Sequence, residues 1–370
     1  MSYLNISTIN DFKDLIKYKK FKNIFVISGK KSFYNSDAFK LFKFSKDKIV
    51  EYYFKKQKLP EYPELITILN LVNKFKPDVI VAIGGGSVID YAKIVSIIDL
   101  QSMQNLKKKL VSYENLSVKK VYPLIAIPTT AGAGAEVTSN SVIYVDKIKY
   151  SVESKLLIPN YYFLIPNLVI NNPKVLKSSS GFDAIAQSVE SLISLKSNKT
   201  SVMYAKKSLN LSLNNYLPFL KNPNSENSNK MLLSSNLSGK AINISKTTAP
   251  HAISYPFTSM FGLSHGHAVS LTFEKFLFFN YKNLHRSQSS FDLSERYKII
   301  FQLFKVRNIV ELNQKIKFLK REANLIDTYS NLGINLEKNI ENILKQINIL
   351  RLKNNPIILN KKNIKAILND

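Results

Sequence analysis

Histidine is scarce in this sequence, which makes its placement informative. Four occur in 370 residues, and three of them, His251, His265 and His267, fall within 17 positions. Neutral imidazoles clustered in this way are suited to a divalent cation such as Fe2+ or Zn2+, although hydrogen-bonded structural histidines would give the same pattern. A carboxylate would complete a cation site, and Asp183 in Gly181-Phe182-Asp183-Ala184-Ile185-Ala186-Gln187 is the candidate, at the apparent start of a helix. Asp183 and Gln187 are four residues apart and share a helical face, as do His251 and Tyr255 if that segment is helical. An Asp at a helix start also simply complements the dipole, so without the histidines it would mean little. There is no cysteine, which excludes disulfides, zinc–thiolate sites and a cysteine nucleophile.

A second kind of chemistry sits upstream. The apolar run Val79–Ile83 leads into Gly84-Gly85-Gly86-Ser87 and then Val88-Ile89-Asp90-Tyr91-Ala92-Lys93. This is the order strand, glycine turn, helix start. The glycines are expected to permit φ > 0 and close approach of a ligand to the backbone. N–H groups at the helix start then face an anion, and a dinucleotide pyrophosphate fits that geometry. The run is not GxGxxG, so the ordinary dinucleotide fingerprint does not apply. A second loop of small residues and hydroxyls, Pro128-Thr129-Thr130-Ala131-Gly132-Ala133-Gly134-Ala135-Glu136-Val137-Thr138, follows the next apolar run.

The elements that must position these residues divide the chain. Phe21–Ser28, Lys48–Phe54, Val79–Ile83 and Val121–Ile127 read as short buried strands. Leu65, Ile68, Leu69, Val72 and Phe75 recur at helical spacing between two of them. Short apolar strands alternating with helices predict a parallel sheet covered on both faces. From about Pro173 the pattern becomes helical: Met203–Leu220, Met231–Ser245, Leu336–Leu350 and Lys361–Leu368 are amphipathic, and Asn222–Asn229 reads as a polar loop. The expected fold class is α/β plus all-α: a parallel-sheet dinucleotide-binding domain over 1–172 and an all-helical metal-binding and substrate domain over 173–370. A cleft between such domains is a natural ligand site.

Composition narrows the partners. The formal net charge is +27, yet only five of 53 basic residues are Arg, and the lysines are scattered. Base readout favours Arg, so no nucleic-acid partner is expected. Lys, Asn and Ile share A/T-rich codons, and compositional bias accounts for their abundance. The positive field favours small anionic substrates. The opening residues contain no long apolar region and no run is long and apolar enough to span a membrane, so a cytoplasmic protein without a membrane partner is expected.

Taken in order, GGGSVIDYAK, IPTTAGAGAEVT, SGFDAIAQSVES, HAISYPFTSMFGLSHGHA and the Asn354-Asn355-Pro356 run resemble the iron-containing (group III) alcohol dehydrogenase family. The resemblance implies an NAD(P)-dependent enzyme interconverting an alcohol with an aldehyde or ketone, with a dehydroquinate synthase-like architecture. Gly84, Gly85, Gly86 and Ser87 match the family's pyrophosphate loop. Asp90 matches the acidic residue of the following helix; Thr129, Thr130, Asn140 and Lys149 match residues lining the ribose and nicotinamide. Asp183, His251 and His265 match three metal ligands. The family commonly dimerises, so a homodimer is implied, although no residue here encodes it.

The departures from the family carry information. The usual second histidine ligand is Gln187, whose amide oxygen binds cations less tightly than imidazole and opens the site to Mg2+ or Mn2+ as well as Fe2+ or Zn2+. A further histidine is replaced by Tyr255. Ala133 and Ala135 remove two hydroxyls near the cofactor. Where an acidic residue often follows the first strand, this chain has Ser28-Gly29-Lys30-Lys31, which relieves repulsion of a 2′-phosphate and favours NADPH. The run from Asn243 to Pro256, with SGKKSF at Ser28–Phe33, is most similar to the phosphonoacetaldehyde reductase branch. That implies reduction of phosphonoacetaldehyde to 2-hydroxyethylphosphonate in phosphonate biosynthesis, with Lys246, Thr247 and Thr248 near the substrate anion. His267 or Tyr255 is the expected proton carrier. The rival expectations are another aldehyde or ketone of the same family, and a metal-poor binding protein motivated by Gln187.

Overall fold

The computed structural model describes residues 7–43, 47–99, 103–112, 114, 116, 119–347 and 349–369. Two compact units emerge. One comprises the chain up to Asn172 together with Asn224–Leu232; the other comprises Pro173–Pro223 and the chain from Leu233 onward.

The first unit is built on strands β1 (Asn23–Gly29), β2 (Ile49–Lys55), β3 (Val79–Gly84), β4 (Leu124–Pro128) and a short β7 (Tyr161–Tyr162). They pair in the order β2-β1-β3-β4-β7, parallel throughout. Alternate residues of the central strands go to opposite cores. Phe25, Ile27, Ile80, Ala82, Leu124 and Ala126 pack with the Tyr62–Phe75 and Gly86–Val95 helices. Ile24, Val26, Val79, Val81, Ile125 and Ile127 pack on the other face with Phe12 and Ile16 of the Ile9–Tyr18 helix. Both faces are covered, which is why these strands read as unbroken apolar runs.

The chain leaves β1 toward β2 on one side and reaches β3 on the other. In a doubly wound sheet the ligand crevice lies at such a switch, outside the carboxyl ends of the strands. Gly29 and Gly84 end β1 and β3 there, and the buried hydroxyl of the preceding Ser28 donates to the Ile83 carbonyl at 2.6 Å.

An antiparallel hairpin, β5 (Asn140–Val145) with β6 (Ile148–Glu153), was not legible as strands. Its two-residue turn is Asp146-Lys147, both at positive φ, 51° and 66°. That is the twist tight hairpins favour, but Asn-Gly or Asp-Gly usually signals it.

In the second unit no strand occurs among the described residues. The Lys174–Ile193 helix is its axis, buried almost continuously from Lys177 to Ile193. Against it lie the Lys199–Lys221 and His265–Ser270 helices, and the Ala249–Phe261 helix meets it through His251. The polar stretch at 222–229 is shorter as a loop than expected, because a helix begins at Ser225 and runs to Ser245. The Leu336–Leu350 stretch is Leu336–Lys345 followed by a separate turn from Ile349, with Asn348 outside the described residues. Among the described residues, no helix is long and apolar enough to cross a membrane.

Candidate metal centre and dinucleotide loop

The cation candidates converge. Asp183, His251 and His265 each offer a ligand atom, and these atoms lie within 4.8 Å of one another. Ligands held at about 2.1 Å from one ion sit between roughly 3 and 4.2 Å apart, so small side-chain adjustments suffice for all three to share it. One carboxylate and two imidazoles suit a borderline divalent cation.

Asp183 does not begin a helix, as its sequence context suggested. It is in the middle of Lys174–Ile193, and the helix dipole therefore does not explain it. Its burial at 3% exposure demands partners instead. Oδ1 faces His251 Nε2 at 3.1 Å and Oδ2 accepts from the Gln187 amide at 3.2 Å. Burial works against its charge, yet His265, His251 and Gln187 outweigh it and hold the carboxyl below its ordinary range.

His251 lies near the start of the Ala249–Phe261 helix, and Tyr255 follows one turn later as expected. The other face of its ring meets a residue that sequence reasoning missed. Glu190, fully buried, receives His251 Nδ1–H on Oε2, while its Oε1 accepts from the Thr248 N–H at 2.8 Å and hydroxyl at 2.9 Å. A carboxylate behind a ligating imidazole fixes its tautomer and raises its basicity. Burial opposes a charged His251, but Glu190 and Asp183 prevail and lift its pKa to about 10 in the metal-free protein. The overlooked signal was spacing: Asp183, Gln187 and Glu190 stand at i, i+4 and i+7 on one helix face.

His265 is brought in by the short His265–Ser270 helix, its ring 5.2 Å centre to centre from His251 and 6.3 Å from Tyr255. Gly266 permits this. A Cβ there would lie 2.0 Å from the Ser179 carbonyl oxygen, so the helix rests directly on the backbone of the Asp183 helix.

The other candidates have partners within the chain. His267 turns Nε2 to the Ile326 carbonyl at 2.6 Å, which requires a proton on that nitrogen and anchors the ring. Thr248 was expected as a substrate donor; its hydroxyl donates to Glu190, on the Nδ1 side of His251. The Thr247 hydroxyl accepts from Arg351 at 3.1 Å. Lys246 ends the Ser225–Ser245 helix at φ 59°, with Nζ 3.3 Å from the Asn243 carbonyl. The Asn354 amide donates to Ser194 Oγ, Ser245 O and Thr247 O, so the Asn-Asn-Pro run ties the end of the Asp183 helix to the approach to His251. Gln187, expected as the fourth ligand, presents its amide nitrogen to Asp183 and its oxygen to Ser238 Oγ at 3.0 Å.

In the first unit the glycine turn follows β3 as expected, but for a different reason. None of Gly84, Gly85 and Gly86 has positive φ; Gly85 is extended at φ −77°, ψ −173°. Close approach is what requires glycine: a Cβ on Gly84 would lie 2.5 Å from Val88, and one on Gly85 3.3 Å from Thr130. The left-handed glycine is Gly134 in the second loop, at φ 59°. Thr129 joins the two loops, its N–H donating to the Gly84 carbonyl at 3.0 Å, and the Asn172 side chain holds the Thr129 carbonyl at 2.6 Å. Ser87 lies in the first turn of the Gly86–Val95 helix, where backbone N–H groups are available to an anion.

Asp90 and Lys149 come together. Burial is the largest influence on Asp90 and raises its pKa to about 6, against the pull of Lys93, the Val142 N–H, Lys149 and Ser141. Lys93, also unforeseen, is fully buried and donates to Thr138 O and Oγ1 at 2.8 Å and to Asn140 O at 3.0 Å. It thereby holds Asn140 against the helix that follows the glycine turn.

A parallel sheet with a glycine turn at its switch point, followed by a helical unit carrying a carboxylate–imidazole cluster, defines the class of protein. Two family descriptions match it: iron-containing alcohol dehydrogenase over residues 3–166, and the C-terminal part of the Fe-containing alcohol dehydrogenase family over residues 177–370. The chain belongs to the iron-containing alcohol dehydrogenase family. It is 35% identical over 158 residues to an alcohol dehydrogenase of Thermococcus barophilus, a match covering 41% of each chain. It is 32% identical over 199 residues to a 4-hydroxybutyrate dehydrogenase of Clostridium kluyveri, covering 52% of each. The matches thus span about half or less of these curated relatives. In fold it is similar to the NAD+ complex of sulfoacetaldehyde reductase from Bifidobacterium kashiwanohense, with TM-score 0.87 and 22% identity over 99% of this chain and 95% of that one.

Proposed function

We propose that this protein is a metal-dependent NAD(P)H oxidoreductase that reduces a small anionic aldehyde, with phosphonoacetaldehyde as substrate and 2-hydroxyethylphosphonate as product. The observation that carries this is the convergence of Asp183, His251 and His265 on a volume one cation can fill. When bound, a divalent cation supplies Lewis acidity toward a carbonyl oxygen, and a reduced nicotinamide supplies the hydride.

The chain's own residues do the rest. Asp183, His251 and His265 hold the cation, with Glu190 keeping the His251 ring aimed. The glycine turn and Thr129–Thr130 receive the dinucleotide, and the Asp90–Lys149 pair with Asn140 shapes its nicotinamide end. Tyr255, a phenol placed beside His265, delivers the proton to the product oxygen, and His267 holds the site from its Ile326 anchor. Lys30 and Lys31 are exposed after β1, and Gly29 pairs in register with Lys55 of β2. No carboxylate at these positions opposes a 2′-phosphate, and NADPH is therefore used at least as well as NADH.

The positive field of the chain supports an anionic substrate, with Lys246 as the candidate contact. The sulfoacetaldehyde reductase neighbour is named for a two-carbon aldehyde with a sulfonate in the phosphonate's place. Purified protein loaded with Fe2+, Zn2+ or Mg2+ is assayed for NADPH oxidation with phosphonoacetaldehyde, acetaldehyde and succinic semialdehyde. Loss of most kcat/KM when the phosphonate is removed supports the reading. Equal rates with uncharged aldehydes would assign another substrate. Absence of both bound metal and turnover would favour a binding protein, the reading that Gln187 motivates.

A further inference from the structure

Gln187 occupies the place of a ligand without the geometry of one. Its amide can face Asp183 in only one way. Turned over, its oxygen would stand 3.2 Å from the carboxylate oxygen Oδ2, two acceptors in contact with no proton between them. The NH2 group must therefore face Asp183, and Oε1 faces the Ser238 hydroxyl at 3.0 Å, in the interior of the helical unit, where it shares that single proton with the Ser235 carbonyl at 2.9 Å. All three side chains are buried, with Gln187 and Asp183 each 3% exposed and Ser238 fully covered, so water does not compete for these bonds. Asp183 uses its two oxygens differently: Oδ2 accepts from Gln187, and Oδ1 is the atom turned to His251 Nε2.

We infer that Gln187 is a positioning residue rather than a metal ligand, and that the protein supplies three ligands only, Asp183, His251 and His265. The inference rests on the metal-dependent reading above. The bond from Gln187 Nε2–H to Asp183 Oδ2, with the Ser238 hydroxyl set against Gln187 Oε1, holds the carboxylate so that Oδ1 points at the cation. It has the same function at Asp183 that Glu190 has at His251. Three protein ligands leave at least one position of the cation open to water or substrate, the arrangement of catalytic rather than structural sites.

The test uses Co2+ alone as the probe, because its visible bands report the ligand set independently of turnover. Wild type, Gln187→Met, Gln187→Ala, Ser238→Ala and His265→Ala are titrated with Co2+ against a competing chelator, with far-UV circular dichroism recorded for each metal-free variant. For Gln187→Met the expected result is Co2+ binding about 10–100-fold weaker with unchanged band positions and intensities, as for loss of an orienting partner. His265→Ala, a ligand variant, should change the bands. Ser238→Ala should weaken binding in the same direction as Gln187→Met. It would leave binding unchanged or tighter if Oε1 were a ligand relieved of a competing proton. Changed bands in a folded Gln187→Met or Gln187→Ala protein, or an affinity as low as that of His265→Ala, would overturn the inference. Wild type that binds no Co2+ would overturn the metal reading and this inference with it.

Discussion

Gly266 is the most exacting residue of the candidate metal centre, although it contributes no ligand atom. Replacing it with Ala introduces a Cβ 2.0 Å from the Ser179 carbonyl oxygen, 2.9 Å from the Ser179 carbonyl carbon and 3.0 Å from Asp183 Cβ. Real Cβ contacts essentially never fall below 3.0 Å, so the His265–Ser270 helix must retreat by at least the 1.0 Å difference. The obstacle is helix backbone, which cannot swing aside. Metal–ligand distances tolerate deviations of about 0.2 Å, so a shift of that size takes His265 out of the shared coordination volume. Overpacking of this kind costs about 1–3 kcal/mol, which lowers Tm by roughly 2–12 °C for a unit of this size. Chelator competition should show metal affinity at least about 100-fold weaker for Gly266→Ala, beyond the range for loss of an orienting partner. Scanning calorimetry of the metal-free protein should show the Tm decrease separately. A Gly266→Ala protein whose metal affinity is within threefold of wild type and whose metal-free Tm is unchanged would refute the close-packing account.

Three further outcomes are expected. Glu190→Gln keeps the shape but loses the carboxylate behind His251, and metal affinity should fall about 10–100-fold, measured by the same competition. The His251 pKa of about 10 lies above its ordinary 6.5, so the carboxylate–imidazolium contacts stabilise the metal-free protein fully below pH 6.5 and lose that contribution as pH rises through about 10. Metal must displace the same proton, so apparent affinity should rise by up to about tenfold per pH unit across that window; a flat profile in calorimetric titration contradicts it. Lys93→Met leaves the carbonyls of Thr138 and Asn140 and the nearby Asp90 without their buried cation. A loss of about 3–5 kcal/mol in denaturant unfolding is expected, with a raised KM for the dinucleotide.

The two lessons of the metal centre differ in how far sequence could reach them. Scarce histidines at close spacing marked His251 and His265, because ligand type and local periodicity are written within one or two turns of helix. Glu190 was hidden because it serves His251 from 61 residues away, and only the packing of the Lys174–Ile193 helix against the Ala249–Phe261 helix shows which carboxylate backs which ring. The same holds for Thr247 and Thr248. Both hydroxyls suggested substrate donors; once folded the Thr248 hydroxyl donates to Glu190 and the Thr247 hydroxyl accepts from Arg351, since buried polar atoms must find partners wherever the fold provides them.

The sequence by itself determined the alternation of buried strands and helices up to about Asn172, the helical character beyond it, the glycine turn after β3 and the identity of the side chains that converge on the candidate cation site. These follow from patterns that repeat over two to four residues and need no distant partner. Tertiary structure alone decided that glycine at 84 answers to crowding by Val88 rather than to positive φ. It decided that Gly266 lets one helix rest on the backbone of another, and that Gln187 turns its nitrogen to Asp183. Each of these depends on contact distances and hydrogen-bond directions between segments far apart in the chain, and such quantities come into existence only when the segments pack.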